Sequence, residues 1–241
     1  MSRERRFYIE TLPESGAVEL SGNQARHGRT ILRLKPGNSV VLFDSKGRAM
    51  TARVEECRQG KVILTLLEEI EGITESPLRI VIYQAIVRPA AMEKLIVMCS
   101  EIGARTIIPM MTARCRSKRP GAEKLARWKR LAIESAKQCN RSNLLRIGEP
   151  VDFSKLDFGA LQGRKLILHP GWGTDFSFNT SSKEETVILL IGPEGGWEPA
   201  EMDCALEAGF TSMGLGPRIL RSETAAVAAA AIFQHLFGDL G

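Results

Sequence analysis

Thr186-Val187-Ile188-Leu189-Leu190-Ile191 is apolar at every position after the first. A strand with one wet face alternates apolar and polar residues, so a run of this kind needs cover on both faces. Leu78-Arg79-Ile80-Val81-Ile82-Tyr83-Gln84-Ala85, Thr106-Ile107-Ile108-Pro109 and Lys165-Leu166-Ile167-Leu168 read as further strands. Between the strands lie segments of helical character. Residues 91–102 stop at Gly103, residues 123–139 are strongly basic, residues 199–208 begin with proline, and residues 224–237 are rich in alanine. This alternation predicts an α/β fold, a parallel sheet with helices on both faces.

The first 70 or so residues follow another pattern. Residues 7–10, 39–43 and 61–66 are short runs of β-branched and aromatic residues, punctuated by the turn sequences Lys35-Pro36-Gly37-Asn38 and Ser45-Lys46-Gly47. They predict a small β-rich domain, a barrel or curled sheet. Gly72-Ile73-Thr74-Glu75-Ser76-Pro77 has linker composition. The expected domains are residues 1–72 and 73–241.

The net charge of +5 is unevenly spread. Residues 105–146 hold 12 basic and 2 acidic side chains, whereas residues 147–241 hold 6 basic and 13 acidic ones. Such halves suggest a polyanion-binding face beside a site of different character. The arginine content favours RNA, because a guanidinium grips phosphate with two hydrogen bonds.

Several function classes lose support. Cys57, Cys99, Cys115, Cys139 and Cys204 form no C-x-x-C pair, and His27, His169 and His235 form no H-E-x-x-H, so a metal mechanism is not expected. Neither G-x-G-x-x-G nor G-x-x-x-x-G-K-[ST] is present, against a Rossmann oxidoreductase and a P-loop enzyme. No apolar run approaches the roughly 18 residues that span a bilayer, and the polar start Met1 to Arg6 does not read as a signal peptide. A cytoplasmic location is the default expectation.

In open parallel sheets ligands bind at the carboxyl ends of strands. Three loops leave strands there with unusual residues: Leu168-His169-Pro170-Gly171, the glycine-rich stretch Ile191 to Trp197, and the stretch Met213 to Thr224. Gly192, Gly195 and Gly196 are expected to let backbone meet a ligand. The acidic surroundings suit a cationic, phosphate-free nucleoside better than a pyrophosphate. S-adenosyl-L-methionine (SAM), an adenosine with a positive sulfonium, is such a molecule.

Longer blocks now carry a resemblance. Ile191-Gly192-Pro193-Glu194-Gly195-Gly196 and Leu215-Gly216-Pro217-Arg218-Ile219-Leu220-Arg221-Ser222-Glu223-Thr224-Ala225 are its most specific part. Arg6-Phe7-Tyr8, His27, Ile31-Leu32-Arg33-Leu34-Lys35-Pro36-Gly37, Met92-Glu93, Glu101-Ile102-Gly103-Ala104, Arg114, Gln138 and Arg141 extend it along nearly the whole chain. The chain resembles the 16S rRNA (uracil-N3) methyltransferase family of the SPOUT superfamily. It departs from the family pattern at Met98, at Arg88-Pro89-Ala90-Ala91 and at Lys137-Gln138.

The resemblance implies a C-terminal trefoil knot, a PUA-like RNA-binding barrel at the N-terminus, and a homodimer that makes 3-methyluridine in 16S rRNA within the small ribosomal subunit. It implies that SAM is held by Leu168, His169, Pro170, Ile191, Gly192, Pro193, Glu194, Gly195, Gly196, Leu215, Gly216, Ile219, Leu220 and Arg221. Arg221 is the first candidate for stabilising charge on the uracil, with Arg114 and Arg141 behind it. Arg6, His27, Arg33, Arg116, Lys118 and Arg119 are the expected RNA contacts, and no metal is implied. The rival reading is a non-catalytic RNA-binding protein, which leaves the three glycine-bearing loops without a purpose.

Overall fold

The computed structural model describes residues 5–70, 75–171 and 186–241. The chain divides into two compact units. One comprises Met1–Thr74 with Ala136–Leu144, and the other Glu75–Ser135 with Leu145–Gly241. The segment Ala136–Leu144, expected in the second domain, thus belongs to the first unit.

In the first unit, strands β1 (Arg6–Tyr8), β2 (Ala17–Ser21), β3 (Ser39–Phe43), β4 (Ala49–Arg58) and β5 (Lys61–Glu69) form one sheet in the order β1-β3-β4-β5-β2. Among the described residues, only the β1–β3 pairing of this sheet is parallel. Arg58 pairs with Lys61, so β4 and β5 join through the two residues Gln59-Gly60, and Gly60 takes the positive φ such a turn needs. Phe7, Leu20, Leu42, Val54, Val62 and Leu64 fill the core. The outer edge of β1 is not left bare: the amide of Gln24, in helix α1 (Gly22–Arg26), donates to Tyr8 O and accepts from Tyr8 N, as a neighbouring strand would.

Arg6 departs from its expected role in RNA contact. It is 7% exposed. Its guanidinium lies 5.1 Å over the Phe43 ring and donates to Arg141 O and Ser142 Oγ, each at 3.3 Å. Arg6 therefore fastens the Ala136–Leu144 segment to this unit rather than reaching phosphate.

The second unit is built on a wholly parallel sheet. Its strands are β6 (Arg79–Ala85), β7 (Thr106–Met111), β8 (Arg146–Ile147), β9 (Val151–Asp152), β10 (Arg164–Leu168), β11 (Thr186–Ile191) and β12 (Thr211–Met213). The order is β12-β10-β11-β6-β7-β8, with β9 also on β7. β11 lies at the centre, and its side chains separate into two cores as its composition requires. Val187, Leu189 and Ile191 pack with Met92, Leu95 and Ile96 of helix α2 (Pro89–Glu101) and with Ala226, Ala229, Ala230 and Phe233 of helix α5 (Ser222–Phe237). Ile188 and Leu190 pack on the other face with Trp197, Phe210 and Met202 and Ala205 of helix α4 (Pro199–Glu207). Each fully buried Val, Leu or Ile contributes about 1.5–3 kcal/mol, so this one strand anchors both layers.

The helices begin where their residues dictate. Pro89 opens α2, so the Pro89-Ala90-Ala91 departure still supplies a sound helix start. α4 carries a reciprocal cap between Glu198 and Glu201. Helix α3 (Ala122–Cys139) supplies Leu125, Trp128 and Ala132 to the same core as α2 and α5.

Candidate functional site

Because β10, β11 and β12 are parallel and adjacent, their carboxyl ends share one edge of the sheet. The three loops singled out from the sequence leave from that edge and enclose a cavity of about 290 Å3. Leu168, His169, Pro170, Ile191, Gly192, Pro193, Glu194, Gly196, Leu215, Gly216, Ile219, Leu220 and Arg221 all line it. Trp197, Met213, Arg218, Ser222 and Ala225 also line it and were not singled out as site residues. Trp197 ends the glycine-rich loop and Ser222 follows Arg221, so both were within reach of the motifs.

Gly195 is the expected cofactor residue that does not line the cavity, and it faces Arg114 instead. A Cβ there would sit 3.1 Å from Arg114 Cβ. Gly192 does line the cavity, yet a Cβ on it would meet the Trp197 indole at 3.0 Å. These two glycines are therefore explained by protein packing as well as by any ligand. Gly196 and Gly216 are required for another reason: their φ values of 71° and 93° are left-handed.

Trp197 is the keystone of this edge. It is 5% exposed, and its Nε1 donates to Leu168 O at 2.9 Å. One ring thus ties the β11 loop to the end of β10.

The three candidate catalytic arginines have different surroundings. Arg221 immediately precedes α5, lines the cavity and is exposed. Arg114 does not line it. Arg114 Nε donates to Glu198 Oε1 at 2.7 Å and Nη1 donates to Gly195 O at 3.2 Å, which makes it a brace on the β11–α4 loop. Ala113 N, donating to Glu201 Oε1 at 2.8 Å, adds to that brace. Arg141 belongs to the first unit, is 6% exposed and does not line the cavity either. Cys99 is no nucleophile, since burial pushes its thiol up to about 12.

The charge asymmetry partly cancels in space. Arg114 pairs with Glu198 at 2.7 Å, Arg119 with Asp152 at 2.7 Å and Lys129 with Glu149 at 3.9 Å. Arg127 grips Glu93 of α2 through both carboxylate oxygens, at 2.6 and 2.8 Å. Arg116 and Lys118 remain exposed on the loop after β7. In the first unit His27 and Arg33 are exposed, and Arg33 holds a left-handed φ of 51°.

Residues 74–234 match the RNA methyltransferase domain family. Ribosomal RNA small subunit methyltransferase E of Synechocystis is 30% identical over 226 residues, covering 91% of this chain and 73% of the relative. The structure of a methyltransferase from Legionella pneumophila in complex with SAM superposes with a TM-score of 0.91 at 32% identity, covering 99% of this chain and all of that one. Ribosomal RNA small subunit methyltransferase E from Neisseria gonorrhoeae, bound to S-adenosyl methionine, gives 0.90 and 32% over the same shares. The chain belongs to the RNA methyltransferase family that includes the ribosomal RNA small subunit methyltransferase E proteins.

Proposed function

We propose that this protein transfers a methyl group from SAM to N3 of a uridine in 16S rRNA. The observation that carries the reading is the cavity at the ends of β10, β11 and β12, in a chain that matches SAM-bound relatives over its whole length. The lining suits the cofactor. Leu168, Ile191, Leu215 and Leu220 offer apolar contact for an adenine, and Glu194 offers an anion for a cationic ligand.

SAM supplies an electrophilic methyl group when bound. The protein's own part is positioning and electrostatics. Uracil N3 must lose its proton to become a nucleophile, and the negative charge then spreads to the flanking carbonyl oxygens. Arg221, exposed at the cavity, is the cation that stabilises that charge. Arg114 acts indirectly, by bracing the loop that presents Gly196 and Trp197. Transfer of a labelled methyl group from SAM to 16S rRNA tests the reading.

On this reading the second unit is a SPOUT domain with a trefoil knot, and the first is a PUA-like barrel that binds RNA. The enzyme is a homodimer working in the cytoplasm on the small ribosomal subunit. Arg116, Lys118, His27 and Arg33 contact RNA phosphates, with Arg119 contributing less because Asp152 already holds it. RNA affinity should then fall steeply with salt as counterions are released. Reversing Arg116 and Lys118 to Glu should flatten the log–log slope by roughly 2, measured by filter binding across a salt series. An unchanged slope would remove these two residues from the interface.

A further inference from the structure

Gln84 is the penultimate residue of β6, opposite Ile191 of β11 and Pro109 of β7. Its side chain is fully buried. Nε2 donates to Ala85 O at 2.9 Å and to Ser222 Oγ at 2.8 Å. The Ser222 hydroxyl in turn donates to Gly192 O at 2.6 Å.

The direction of this chain follows from its end. The Gly192 carbonyl can only accept, so the single Ser222 proton goes there. Ser222 Oγ must then accept from Gln84, and the amide atom facing it must be the nitrogen. A flipped amide would set Oε1 against the Ala85 carbonyl and against the lone pairs of Ser222. Oε1 itself has no hydrogen-bond partner among the described residues. An apolar side chain would avoid that uncompensated acceptor. A glutamine here is therefore justified by what its nitrogen holds.

It holds two walls of the cavity. Gly192 starts the β11 loop and backs onto Trp197, whereas Ser222 opens α5 next to Arg221. Both line the cavity, and they stand 30 residues apart in the chain. Gln84 does not line it. We propose that Gln84 is a positioning residue: through Ser222 it sets the span between the Gly192 loop and the start of α5, and so the fit of the cofactor, without touching it. This rests on the reading of the cavity as the SAM site.

Calorimetric titration of the full chain with SAM tests the idea, with circular dichroism to confirm folding. Gln84→Met and Ser222→Ala should each weaken SAM on the order of tenfold, as expected for a broken buried hydrogen bond. The double variant should be little worse than either single, because all three break the same chain. Ser222→Thr, which keeps the hydroxyl, should restore most of the affinity. In methyl-transfer assays KM for SAM should rise more than kcat falls. Gln84 as mere internal glue would lower the melting temperature and leave SAM affinity alone; that result overturns the proposal. So does a double variant whose loss is the product of the two single losses. Should Gln84→Met fail to fold, Ser222→Ala against Ser222→Thr decides the matter: a Ser222→Thr protein that binds SAM near wild type while Ser222→Ala does not supports the proposal, and equal affinities or a weaker Ser222→Thr overturn it. A wild-type protein that binds no SAM would overturn the cofactor reading first and this proposal with it.

Discussion

Arg221→Ala should slow single-turnover methyl transfer by roughly 100-fold or more, the loss typical of one transition-state donor. SAM affinity should hardly change, because the lost interaction belongs to charge that develops on the uracil. Among the three arginines considered, only Arg221 combines exposure with a place in the cavity wall. Arg114 is committed to Glu198 and Gly195, and Arg141 is buried in the first unit. Arg221→Lys should recover part of the rate, since a point charge cannot reproduce a planar fork. Rapid-quench kinetics with saturating SAM and rRNA reads the effect. A fully active Arg221→Ala would remove Arg221 from the chemical step and turn attention to Arg218, the other exposed arginine of the cavity wall.

Gly192→Val should weaken SAM binding by roughly 100-fold or more in a protein that still folds, with overpacking costing about 1–3 kcal/mol. The new Cβ would stand 3.0 Å from Trp197 Nε1 and 3.1 Å from Cε2. The indole has little freedom to retreat, being buried and bonded to Leu168 O. The branched side chain would thus push one lining residue off another. Gly195→Val provides the contrast. Its Cβ would face Arg114 outside the cavity, so it should loosen the loop brace and cost SAM affinity less. Calorimetry on the two variants decides: equal losses, or a Gly192→Val protein that binds like wild type, would show that the indole is not what shapes the pocket.

The legibility of this chain depends on where each signal is stored. The parallel sheet was readable because burial on both faces leaves a one-dimensional trace, and β11 was expected over the same residues, Thr186–Ile191, that form it. β2 and β4 leave no such trace. In them apolar residues alternate with Glu19, Thr51, Arg53 and Glu55, so no continuous run marks them. The cavity loops were readable from glycine and proline at strand ends. The reason for Gly195 was not, since the atoms that crowd it come from Arg114, far away in sequence.

Side-chain pairing was the least legible layer. The basic segment and the acidic C-terminal half look like separate territories along the chain, yet Arg114, Arg119 and Lys129 find their carboxylates in that half. Arg6, conspicuous in an N-terminal motif, is occupied with Arg141 and Ser142 of a segment well over 100 residues on. Gln84 is hidden by an ordinary strand sequence, and its bond to Ser222 exists only once β6 and α5 are folded together.

The most direct test of the account is nucleoside mass spectrometry on small-subunit rRNA from cells that lack this enzyme, after incubation with the purified protein and SAM. The account predicts one new modified nucleoside, 3-methyluridine, formed by wild type and strongly reduced with Arg221→Ala. A methyl group on another base or on ribose, or none at all, would contradict it.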